Sequence, residues 1–142
     1  MTHSALKKAR QFCEENKYRY TEPREHVLNI ITRSSKPLGA YDILEKLSLI
    51  VDNPKPPTVY RAIEFWRSHG FIHRIESLNA YIGCEAGHQH KGSQFMICDD
   101  CGTVIETHLC DLPQSFAEMS SQLAFKPSRW NFEIHGICDS CH

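Results

Sequence analysis

HRIESLNAYIGCEAGHQHKGSQFMICDDCGTVIE, residues 73–106, carries His73, Cys84, His88, His90, Cys98, Cys101 and Glu106. Thiolate, imidazole and carboxylate are the protein groups that bind zinc, and few other functions gather all three so tightly. Cys98-Asp99-Asp100-Cys101 is answered near the end of the chain by Cys138-Asp139-Ser140-Cys141. Two matched C-x2-C turns, each presenting two sulfurs, predict a closed four-cysteine zinc site. A thioredoxin-like reading would need a single reactive pair at a helix N-terminus, so the matched pairs count against it. The 36 residues between the pairs exceed what a simple ribbon needs, so a folded segment must lie between them. His73, Cys84, His88, His90 and Glu106 are too many to belong to that site. Two zinc ions per subunit are expected, one structural and one responsive to the cell.

Composition is consistent with this picture. A chain of 142 residues with 41% hydrophobic and 23% charged residues suits one domain or two small ones. No run approaches the ~18 apolar residues of a transmembrane helix, so no membrane partner is expected. The start, MTHSALKKARQ, lacks the apolar core of a secretory signal. Seven cysteines then read as reduced cytoplasmic thiols and metal ligands. Net charge is −1, but residues 1–83 hold thirteen Lys/Arg against nine Asp/Glu, whereas residues 84–142 hold three against eight. That asymmetry fits a nucleic-acid-binding front half and an acidic, metal-binding back half.

Along the chain, Leu6, Ala9, Phe12 and Cys13 recur at helical spacing over 3–17, with Cys13 as a buried, inert thiol. Thr21 offers an N-cap to a second helix through Val27, Leu28, Ile30 and Ile31. Ala40 to about Leu49 gives a third. Asn53-Pro54-Lys55-Pro56-Pro57 reads as a stiff linker outside any helix. Thr58 then serves as N-cap of a fourth helix ending at His69, with Gly70 after it. On that helix Val59, Ala62, Ile63 and Trp66 face inward, and Tyr60, Arg61, Glu64 and Arg67 face out. Residues 71–76 and 80–83 alternate as a hairpin. Strands are predicted at 95–97, 103–107 and 130–137, with an amphipathic helix over 112–123 carrying Leu112, Phe116, Met119 and Leu123 on one stripe.

Short helices followed by a hairpin predict a winged helix-turn-helix over 1–83, whose last helix enters the major groove. Arg61, in its first turns, is placed for a bidentate contact to guanine. Tyr60, Lys55, Thr58 and Tyr41 complete the expected DNA-binding set as phosphate or packing contacts, which position without specifying. Residues 84–142 are expected to form a small α/β domain with the four-cysteine zinc site. The fold class is therefore α+β. His73, Cys84, His90 and Glu106 make up the expected regulatory zinc site, with His88 an alternative to His90. Ligands drawn from both halves of the chain would couple metal occupancy to domain position.

The chain resembles the ferric uptake regulator (Fur) family, and within it the zinc-sensing members. The resemblance rests on Lys55-Pro56-Pro57-Thr58-Val59-Tyr60-Arg61-Ala62, Gly70-Phe71-Ile72-His73-Arg74-Ile75-Glu76-Ser77, the segment from Ile97 through Cys98, Cys101 and Gly102 to Glu106, and His135-Gly136 with Cys138 and Cys141. It implies a homodimeric repressor that closes winged-helix arms on palindromic double-stranded operator DNA when zinc fills the sensing site, and so controls zinc-uptake genes. It also assigns Cys98, Cys101, Cys138 and Cys141 to structural zinc, His73, Cys84, His90 and Glu106 to sensing, and Arg61 and Tyr41 to DNA. An iron or peroxide sensor of the same family is the alternative, and the histidine-free loop Ser34-Ser35-Lys36 counts against it. A zinc-storage module would explain the ligands but not the helix-turn-helix. An enzyme is not expected, nor a small-molecule substrate: the H-x-E…P-C-x-x-C and H-E-x-x-H strings of zinc deaminases and proteases do not occur.

Overall fold

The computed structural model describes residues 2–84, 92–108 and 111–142. The chain forms two compact units, Met1–Gln89 and His90–His142. The first holds α1 (Thr2–Glu15), α2 (Glu22–Arg33), α3 (Ala40–Leu47), α4 (Pro56–Ser68), β1 (Ile72–Ile75) and β2 (Ala80–Gly83). The second holds β3 (Gly92–Cys98), β4 (Val104–His108), α5 (Gln114–Gln122) and β5 (Trp130–Gly136).

In the first unit, α2 is the central helix. Thr21 caps it by accepting from the Arg24 amide at 3.3 Å, and Val27, Leu28, Ile30 and Ile31 are buried. They meet Ile43 and Leu47 of α3, and Val59, Ala62, Ile63 and Trp66 of α4, in one apolar cluster. The Trp66 indole N–H donates to the Arg24 carbonyl at 2.8 Å, which removes the cost of burying it. Phe12 and Cys13 bring α1 into the unit; Phe12 and Tyr18 lie within 5.0 Å of the His69 ring between centroids. Burial raises the Cys13 thiol pKa, as expected of an inert core cysteine.

Two expectations needed correction here. Thr58 is not the N-cap of α4, and Pro56 and Pro57 are not linker: Lys55 is the cap and both prolines occupy the first helical positions. The reason is that a helix's first N–H groups have no intrahelical partner, so proline, which lacks one, fits there without loss. Gly70, at φ 81°, ends α4 in the left-handed conformation that favours glycine. The β1–β2 hairpin pairs Ile72 with Gly83 and Ile75 with Ala80, and Leu38 bridges to Tyr81 as a third, one-residue strand. These are the parts of a winged helix-turn-helix.

In the second unit β3 lies between β4, antiparallel to it, and β5, parallel to it. The parallel pair requires a crossover, and α5 supplies it. Trp130 packs its indole over Gly92, where a Cβ would come within 1.7 Å of the ring. Phe116 of α5 meets Phe132 of β5 at 5.0 Å. Among the described residues only Phe95, Ile97 and Cys98 of this unit are buried hydrophobics, too few to hold three strands and a helix unaided.

Candidate metal centre and nucleic-acid face

The register Cys98↔Gly136 at the end of the β3–β5 pair sets the first C-x2-C turn beside the second. Gly102, at φ 77°, lets the first turn reverse into β4. The Asp99 amide donates to the Gly136 carbonyl at 2.8 Å, fastening one knuckle to the strand that delivers the other. The sulfurs of Cys98, Cys101, Cys138 and Cys141 all lie within 4.8 Å of one another, and Cys138 Sγ is 3.7 Å from Cys101 Sγ and 3.6 Å from Cys141 Sγ. A zinc tetrahedron with Zn–S of about 2.3 Å places its sulfurs about 3.8 Å apart. A disulfide would need about 2.05 Å. The four thiols therefore fit a zinc ion and not a disulfide.

The electrostatics suit a thiolate site. Amides of Cys101 and Cys138 point at Cys98 Sγ at 3.5 and 3.3 Å, and they bring its pKa down to about 6. The Thr103 hydroxyl, 3.0 Å from Cys101 Sγ, lowers that thiol as well. Cys141 is pushed up, chiefly by hydrogen bonding with Cys138 and then Cys101. Such unequal thiols share protons, and a dication takes the protons' place. Thr103 was not singled out from sequence; its position two residues beyond Cys101 is the only signal it gives. His135 Nδ1 stands 3.4 Å from the Asp99 carboxylate, supporting the two knuckles from outside.

The residues expected to form a second metal site belong to both units. His73 lies on β1 and Cys84 just beyond β2, with their ligand atoms within 4.8 Å of each other. Cys84 is held there because its amide donates to the Phe71 carbonyl at 2.9 Å. An imidazole and a thiol are thus fixed to the base of the wing. Glu106 is on β4, in a cross-strand row with Phe95 and Glu133. His88 and His90 lie outside the described residues.

Of the expected DNA-binding residues, Arg61 is exposed on the outer face of α4. Tyr60 is exposed beside it, as is Tyr41 at the start of α3. Lys55 caps α4, and Thr58 sits in its first turn, with its amide donating to the Lys55 carbonyl at 3.0 Å. Two prolines and that bond leave the first turn of the helix without free N–H groups for a phosphate, so any contact to DNA there would have to come from side chains.

The ferric uptake regulator family matches residues 15–135. The chain is 33% identical to the zinc uptake regulation protein of Escherichia coli (strain K12) over 142 residues, covering 99% of this chain and 82% of that protein. Among solved structures it is similar to a zinc uptake regulator complexed with zinc and DNA, at a TM-score of 0.88 and 34% identity, covering 99% of this chain and 94% of the other. It is also similar to holo XcZur, at a TM-score of 0.81 and 32% identity, covering 96% of each.

Proposed function

The chain belongs to the ferric uptake regulator family, and from that premise we propose that it is a zinc-responsive transcriptional repressor of zinc-uptake genes. In this reading it binds palindromic operator DNA as a zinc-loaded homodimer in the cytoplasm, with two zinc ions per subunit. Cys98, Cys101, Cys138 and Cys141 hold the structural ion; four thiolates leave no open position for catalysis, which favours a regulator over an enzyme. His73, Cys84 and Glu106, with His90 or His88 as the fourth ligand, hold the regulatory ion. One thiolate among harder ligands favours zinc over iron or manganese.

The observation that supports this reading is the His73–Cys84 pair, which sets an imidazole and a thiol able to bind metal on the wing that directly follows α4. Ligands shared between the units would favour one arm position over another, and that differential affinity is the source of any switch. Residues 1–83 then serve as the DNA-binding domain and 84–142 as the dimerisation domain. Arg61, Tyr60, Tyr41, Lys55 and Thr58 face the duplex.

The test is fluorescence anisotropy of a palindromic operator and a scrambled duplex against buffered free zinc. A steep gain in operator affinity at trace zinc, absent with iron, is expected. Cys84→Ser should abolish that zinc dependence while leaving a folded dimer. An unchanged zinc response in this variant would remove Cys84 from the sensing site.

A further inference from the structure

On α4 the buried residues Val59, Ala62, Ile63 and Trp66 define one side of the helix. At about 100° per residue, Glu64 lies roughly 160° around from Trp66, nearer the centre of the outward face than Tyr60. It stands three residues beyond Arg61, about 60° around the helix from it. An acid there, on the helix directed at a polyanion, needs a reason. Both of its oxygens are taken by one partner: Arg67 Nε donates to one at 3.1 Å and Nη2 to the other at 2.9 Å. The fork neutralises the carboxylate. Each carboxylate oxygen keeps a second lone pair that can accept from another donor. Cytosine N4 is the major-groove donor that carboxylates accept from. Glu64 and Arg67 are partly exposed, so the pair adds little to stability and its fixed geometry is its more useful property.

We infer that Glu64 is a second base-reading residue of the recognition helix, accepting from cytosine N4 beside the guanine read by Arg61, with Arg67 as the residue that positions and neutralises it. This rests on the reading of α4 as an operator-binding helix. The zinc-loaded full-length protein is incubated with a randomised duplex library, and bound sequences are determined for the wild type, Glu64→Ala, Glu64→Gln and Arg61→Ala. The wild type should enrich a motif with cytosine next to the guanine lost in Arg61→Ala. Glu64→Ala should flatten the cytosine preference by about tenfold and leave the guanine. Glu64→Gln, which preserves shape and solubility, should move the preference to adenine, the base a Gln amide pairs with. Glu64→Ala and Glu64→Gln motifs superimposable on the wild type would overturn the inference and leave the operator reading standing. A wild type that enriches no motif would overturn both.

Discussion

Trp66 shows how one residue can be legible in part. Its helical spacing with Val59, Ala62 and Ile63 marks it as core, and it is fully buried; its bond to the Arg24 carbonyl, from a residue 42 positions away, has no local signature. Trp66→Ala should cost about 3–5 kcal/mol, from the cavity and the orphaned carbonyl together. Urea denaturation followed by circular dichroism measures it; a loss below about 1 kcal/mol would mean the site collapses around the alanine. Cys13 was readable as an inert thiol because only its helix face mattered. Thr58 was misread because an N-cap residue type stood where two prolines had already opened the helix. The Glu64–Arg67 fork could be anticipated as an i,i+3 pair, but not its bidentate geometry.

At the scale of elements, helices and strands followed their periodicity, and errors sat at ends. β3 runs over Gly92–Cys98, longer than its apolar centre, because pairing with both β4 and β5 extends it through polar Ser93 and Gln94. The β1–β2 turn contains a short 3-10 segment over Glu76–Leu78, followed by Asn79 at φ 48°. The element most dependent on metal is β5, which among the described residues has β3 as its only strand neighbour and leads into Cys138 and Cys141. Cys138→Ser should release one equivalent of zinc and speed amide exchange in Trp130–Gly136, while the β1–β2 hairpin keeps its protection. Hydrogen exchange by mass spectrometry resolves the two segments. Unchanged exchange in β5 would show that sheet pairing alone secures it.

For the whole molecule, the second unit leaves apolar surface exposed. Ile105, Met96 and Ile134 form one cross-strand row, each exposed by 41–50%. No residue of α5 is buried, although Phe116 and Met119 lie on it. Such a surface fits the proposed homodimer contact. Met96→Glu should therefore shift sedimentation from dimer to monomer at micromolar concentration with zinc bound and the fold retained. A dimer that persists would move the interface off this row. What the sequence determined by itself was local or chemical. Periodicity gave the element types, proline and glycine their approximate ends, and thiol, imidazole and carboxylate the expectation of zinc. The matched C-x2-C turns even named the four partners, because zinc requires four ligands and the spacing supplies them in pairs. Tertiary structure decided what depends on pairing between distant segments. The parallel β3–β5 register brings the knuckles to tetrahedral spacing, and the packing of α5 determines which apolar row stays uncovered. Those contacts form only once the chain has closed long loops, and no window of neighbouring residues encodes that closure.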